Sequence, residues 1–182
     1  MGSIKKELLS GVFYTAIAKY SGILISLIIT GVLARLISPD KFGIVAVVTV
    51  ITFFFSIFSD LGIGAAIIQN KELQQKDLNQ LFSFTVWSGC ILTLLFFLCS
   101  WPISFFYKEP GMKTITQLLA INLFFASANI VPNALLYKAK AFKFLAWRSL
   151  GVQVSGGIIA ILAALGGAGL YALIINPILS SI

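Results

Sequence analysis

Five long stretches of the chain contain no charged residue: 20–34, 42–59, 81–107, 114–137 and 149–182. A bilayer core about 30 Å thick takes roughly 20 helical residues to cross, and the last three stretches exceed that outright. The first two reach it once a single ionisable residue is admitted to each, Lys19 within 11–34 and Asp60 within 42–68. In lipid a spanning segment must satisfy its own backbone N–H and C=O groups, so apolar runs of this length specify helices. The chain is therefore expected to be an all-α integral membrane protein, a bundle of five transmembrane helices at about 11–34, 39–68, 81–107, 114–137 and 149–175.

Composition agrees and narrows the chemistry. Only 10% of the 182 residues are charged, against about 25% in soluble domains. There is no histidine, which removes the usual general base and the commonest metal ligand. Five of the six acids lie in the N-terminal tail or in loops, none spaced with a nucleophile, and Gly166-Gly167-Ala168-Gly169 lacks the strand and lysine of a phosphate loop. No enzyme activity, metal or cofactor is expected. Cys90 and Cys99 match neither a redox pair nor a metal clip and read as reduced hydrophobes. The 13 Lys and Arg sit mostly between the apolar runs, where they report topology and not nucleic-acid binding.

Counted on alternate sides of five crossings, one side receives Lys5, Lys6, Lys71, Lys76, Lys138, Lys140, Lys143 and Arg148, the other Arg35, Lys41, Lys108 and Lys113. Eight against four predicts a cytoplasmic N-terminus. The apolar stretch after Lys6 is long, contains Lys19 and shows no persuasive cleavage site, so it reads as a retained first helix and not a signal peptide. The C-terminus then falls outside, and the uncharged ending from Asn176 to Ile182 is expected to be the boundary of a fragment.

Local signals mark the joints. Ser38, Pro39 and Asp40 supply an N-cap, a proline at the first helical position and an early acid, starting the second helix at Pro39. Glu109-Pro110-Gly111 predicts a turn, and Asn70 to Gln80 has the composition of a short surface helix. Pro132 should kink the fourth helix by freeing a carbonyl. Small residues recur every fourth position at Ala18, Gly22, Ser26, Thr30 and Ala34, and at Gly156, Ala160, Ala164 and Ala168. Such stripes let membrane helices approach closely; bending of the glycine-rich fifth helix during transport is the alternative.

Four kinds of side chain are candidates for function. Lys19 either faces a water-filled cavity, where it would bind an anion, or snorkels to the cytoplasmic interface. Asp60, before Leu61-Gly62-Ile63-Gly64, either hydrogen-bonds backbone where the glycines loosen the helix or serves as an ion-coupling or gating carboxylate. Asn122, Asn129, Asn133 and Gln153 either line a polar path suited to sugar hydroxyls or join helices by hydrogen bonds. Arg35, at the end of the first helix, anchors the surface or faces a central cavity.

The run from Gly31 to Gly43 (GVLARLISPDKFG) and the run from Phe58 to Gln69 (FSDLGIGAAIIQ) resemble the N-terminal signature of bacterial polysaccharide exporters of the Wzx flippase type. These are oligosaccharide flippases of the multidrug/oligosaccharidyl-lipid/polysaccharide transporter superfamily, also known as O-antigen flippases. The carriers of the resemblance are Ala-Arg closing helix one, Ser-Pro-acid-x-Phe-Gly opening helix two, and Asp-Leu-Gly ahead of a glutamine. The resemblance implies two related lobes around a central cavity, of which this chain would supply most of the N-terminal one. It further implies alternating access that moves an undecaprenyl-diphosphate-linked oligosaccharide across the bacterial plasma (inner) membrane, for O-antigen, capsule or exopolysaccharide. Lys19 and Arg35 would then offset the diphosphate charge. The implied partners are the lipid-linked oligosaccharide, membrane lipids, a missing C-terminal lobe, and a polysaccharide polymerase with its chain-length machinery. A small-cation or drug antiporter of the same superfamily and a non-transporting membrane scaffold are the alternatives; the lack of an acid in helix one argues against the antiporter.

Overall fold

The computed structural model describes residues 2–70 and 72–181, with side chains from residue 11 onward except at 12. Three basic residues counted for topology, Lys71 and the side chains of Lys5 and Lys6, lie outside the described residues. Among the described residues eight α-helices run in order: α1 (Gly2–Leu36), α2 (Pro39–Asp60), α3 (Ile63–Gln69), α4 (Gln75–Tyr107), α5 (Pro110–Ala128), α6 (Ile130–Lys138), α7 (Phe142–Leu165) and α8 (Ala172–Ser181). They form five segments long and apolar enough to cross a membrane: Phe13–Leu36, Pro39–Asp60, Gln75–Tyr107, Pro110–Lys138 and Phe142–Leu165. This is an all-α, multi-pass membrane protein.

The helices depart from the uncharged runs at their ends, for local reasons. The expected second helix stops early, because Leu61 and Gly62 both take left-handed backbone (φ 41° and 80°) and α3 begins again at Ile63. Of the predicted surface helix at 70–80, Asn70 and residues 72–74 are irregular and 75–80 form the first turns of α4. The Gln74 N–H donates to Asp77 Oδ2 at 3.0 Å and so fixes the start of that helix. The fourth helix starts at Pro110, not 114, with proline at its first position. Ser38 occupies the N-cap of α2, but its side chain makes no cap hydrogen bond, leaving Pro39 and Asp40 to supply the start signal.

α5 and α6 are interrupted at Asn129, three residues before Pro132. Proline at 132 has no N–H for the carbonyl of Ala128, and its ring crowds that carbonyl, so the regular helix ends at Ala128. Pro132→Ala should fuse α5 and α6 into one regular helix and slow amide exchange at residues 130–134; exchange unchanged from wild type would show that another contact holds the break.

The fifth run holds two helices in place of one to 175. Gly167 (φ 83°) closes α7, its N–H bonding Ala164 O at 3.1 Å while Ala168 N–H bonds Ala163 O at 2.9 Å. That pair of bonds is a glycine C-cap, which gives the glycine cluster a structural job. A 3-10 turn, Gly169–Tyr171, then sends α8 back along α7.

Helices adjacent in sequence pack together at α4–α5 and α7–α8, but the bundle also pairs helices far apart in sequence. α1 packs most extensively on α7, α4 on α5, α2 on α5, and α3 on α6. α8 joins two apolar clusters: Ile174 sits with Val48, Phe96, Ile115 and Leu119, while Ala172 sits with Ile29, Leu33 and Ala160. α1 and α7 run parallel in fixed register, since a Cβ on Gly11 would meet Phe142, one on Gly22 would meet Gln153, and one on Gly157 would meet Ile29. Of the predicted α1 stripe only Gly22 is fully buried in this seam; Ser26, Thr30 and Ala34 stay exposed, and Ile29, Leu33 and Ile37 provide the buried contacts. Most other large side chains on the outer faces, Phe53, Leu94 and Trp147 among them, are exposed, as lipid-facing residues are.

Candidate functional site

Two open clefts adjoin on the faces of α1, α6, α7 and α8. The first, about 590 Å³, is lined by Asn133 and Tyr137 of α6, Arg148, Ser149 and Gln153 of α7, and Asn176 and Ser180 of α8, with Leu145, Val152 and Pro177. The second, about 430 Å³, has Lys19, Thr15 and Ser26 of α1 on one wall and Tyr137, Ser149 and Gln153 on the other. Tyr137, Leu145, Ser149 and Gln153 belong to both, so the two are parts of one polar depression.

The α1–α7 register sets its depth. Gln153 Nε2 donates to Gly22 O at 2.8 Å, which ties the two helices at one level. At 1.5 Å rise per residue, Lys19 lies about 4–5 Å and Arg148 about 7–8 Å from that level, both toward the 138–142 end. Two cations thus come within a few ångströms of the same height on adjacent walls. Arg148, half-buried, donates from Nη1 to Asn133 Oδ1 at 2.8 Å, orienting the guanidinium across the α6–α7 gap. An acceptor-rich rim of amides, hydroxyls and a phenol around two cations is chemistry for an anionic, polyhydroxylated ligand.

The other candidates lie elsewhere. Arg35 is exposed in the last turn of α1, where a cation complements the helix dipole. Sixteen residues of helix, about 24 Å, separate it from Lys19, too far for one headgroup to touch both. Asp60 is exposed at the end of α2, and its Oδ1 accepts the Gly64 N–H at 3.2 Å across the α2–α3 break. Asn122 Nδ2 donates to Pro177 O at 3.2 Å, and Asn129 Nδ2 to Ser181 O at 2.7 Å and Phe125 O at 3.2 Å. These amides hold α8 against α5, and neither is among the residues lining the depression. Cys90 is exposed and Cys99 half-buried, both free. Among the described residues no three His, Cys, Asp or Glu side chains are placed to hold a metal ion.

Tyr137, Arg148, Ser149, Asn176 and Ser180 were missed as site residues. A count of uncharged residues begins the fifth run at 149 and so leaves Arg148 just outside the expected helix. The aromatic residues Phe142, Phe144 and Trp147 before it were the available signal that the helix had already begun.

The profile of a family of polysaccharide biosynthesis proteins matches residues 32–182. The chain belongs to that family. Among its curated relatives is the lipopolysaccharide biosynthesis protein WzxC of Escherichia coli (strain K12), 27% identical over 158 residues, 87% of this chain and 31% of the relative. Another is the teichuronic acid biosynthesis protein TuaB of Bacillus subtilis (strain 168), 28% identical over 121 residues, 66% of this chain and 25% of the relative. A third is the succinoglycan biosynthesis transport protein ExoT of Rhizobium meliloti (strain 1021), 22% identical over 151 residues, 83% of this chain and 31% of the relative. The chain spans less than a third of the length of these relatives. No solved structure matches it.

Proposed function

We propose that this polysaccharide biosynthesis protein carries out part of the transport of a lipid-linked oligosaccharide across the bacterial plasma membrane, and that the depression between α1, α6, α7 and α8 receives its diphosphate and first sugars. One observation carries the reading: a polar cleft bearing Lys19 and Arg148 in an otherwise apolar bundle. A charged side chain at the centre of a spanning helix costs roughly 2.5–3.5 kcal/mol on insertion scales, so an exposed Lys19 and a half-buried Arg148 facing one cleft support a bound anion. The basic residues at the 138–142 end favour a cytoplasmic location for that end, and the cleft lies in the same half of the bundle. Alternating access would then expose it to each side in turn, with the remaining wall supplied by the lobe this chain does not span. Arg35 would act at the outer end of the path, and Asp60 as a structural acid or a gate.

The test is Lys19→Ala against Lys19→Arg in the complete transporter, reading surface polysaccharide at matched membrane levels. Alanine should lower output about ten-fold or more, the effect of losing one charge-assisted contact worth roughly 1.5–3 kcal/mol, and arginine should retain most of it. Equal output from alanine and wild type would remove Lys19 from the substrate path. Altered resistance to organic cations with normal polymer would favour an antiporter, which the two cations in the cleft speak against.

A further inference from the structure

At the opposite end of the bundle, the α4–α5 turn carries a second basic feature that the transport reading does not use. A cleft of about 420 Å³ is lined by Ser104, Phe105, Lys108, Pro110 and Lys113. Each lysine is placed against a local cost. Lys108 holds the left-handed position that ends α4 (φ 56°), which glycine would occupy with less strain. Lys113 closes the first turn of α5, where the helix dipole disfavours a cation.

Both are nevertheless held in place. The Glu109 N–H and Lys108 N–H bond Ser104 O and Phe105 O at 3.3 Å each, and Ser104 Oγ donates to Glu109 O at 3.0 Å, which makes the turn rigid. Lys113 Nζ stands 5.0 Å from the centre of the Trp101 ring, in cation–π range. Phe105 is 88% and Phe106 78% exposed in the last turn of the span, where the apolar segment meets the two lysines. Glu109, between the lysines in sequence, leaves the turn a net charge of +1.

We infer that this turn is a binding site for an anionic phospholipid, with the headgroup phosphate between the Lys108 and Lys113 ammonium groups and the acyl chains along Phe105 and Phe106. The two ammonium groups supply charge complementarity at the interface, and the aromatic side chains supply the apolar floor that a free phosphate would not need. A basic residue near a membrane surface favours anionic lipid about five-fold, so the pair should favour it up to about 25-fold.

Trp101 is the reporter. The chain has three tryptophans, and Trp87 and Trp147 are exposed, so Trp87→Phe with Trp147→Phe leaves Trp101 as the single emitter. In nanodiscs, phosphatidylglycerol with brominated acyl chains should half-quench Trp101 at a mole fraction well over five-fold lower than brominated phosphatidylcholine does. Lys108→Gln with Lys113→Gln should bring the two lipids together. Equal quenching by both lipids in the parent protein overturns the site without any lysine variant. A preference that survives the double substitution assigns it to the net positive charge of the whole chain, and overturns the site equally. Neither outcome bears on polysaccharide output, so this test fails or succeeds independently of the transport reading.

Discussion

Gly157→Leu should pull α1 away from α7 and leave the chain unable to hold a stable bundle. A Cβ at position 157 would overlap the Ile29 side chain, so alanine already forces Ile29 to move, and leucine adds three more carbons that a shift of Ile29 alone does not clear. Overpacking of this kind costs about 1–3 kcal/mol. In lipid there is no compensating hydrophobic drive between helices, because the acyl chains are as apolar as leucine. Close packing is therefore most of what the seam contributes, and separation also breaks the 2.8 Å bond from Gln153 to Gly22 O. Thermal unfolding in detergent micelles should show the loss, and Ile29→Ala in the same chain should recover most of it by clearing the space. An unfolding midpoint equal to wild type for Gly157→Leu would mean that the α1–α7 seam is not a determinant of stability.

Arg148→Ala should reduce surface polysaccharide at least as much as Lys19→Ala, by about ten-fold or more, because it removes both a cation from the cleft and the bond that holds Asn133. Asn133→Ala separates these effects, since it removes the bond and keeps the charge. If the guanidinium contacts substrate, Arg148→Ala falls well below Asn133→Ala, and Arg148→Lys recovers part of the difference, a lysine lacking the planar fork. Equal losses for Arg148→Ala and Asn133→Ala, with full membrane insertion of both, would leave Arg148 a positioning residue for α6. Wild-type output from Arg148→Ala would remove it from the site.

Much of the fold follows from local chemistry. The apolar runs mark all five spans, and Pro39, Pro110 and Pro132 mark two helix starts and an interruption, whereas Pro102 and Pro177 sit inside α4 and α8 without ending them. Charge was a poorer guide to helix ends. Arg148 and the polar first turn of α4 from Gln75 lie inside helices, where a count of uncharged residues stops short. The pairing of α1 with α7 was not legible at all, since small residues at four-residue spacing are compatible with many partners, and Gly157, next to the noted Gly156, proved to be the position that meets α1. The same limit governs the site. Lys19 stands out in any hydropathy scan, but what it faces depends on which helix is opposite, and Arg148 becomes conspicuous only when α7 lies there. Asn122 and Asn129 look like path-lining amides in sequence; α8, folded back by Gly167, places backbone carbonyls within their reach and uses their donors.

The parallel pairing of α1 and α7 has a consequence for how the protein is made. The Gln153 amide and the Gly22 carbonyl that it caps are 131 residues apart, and at a synthesis rate of about 5–20 residues per second the second partner leaves the ribosome roughly 7–26 s after the first. During that interval α1 is in the membrane with Lys19 and its glycine face unsheltered, while α4 and α5, separated by a two-residue turn, can associate almost as they emerge. Assembly would thus begin in the middle of the chain, and the first helix to be synthesised would be among the last to dock. In that waiting period α1 needs cover from the insertion machinery or from lipid headgroups.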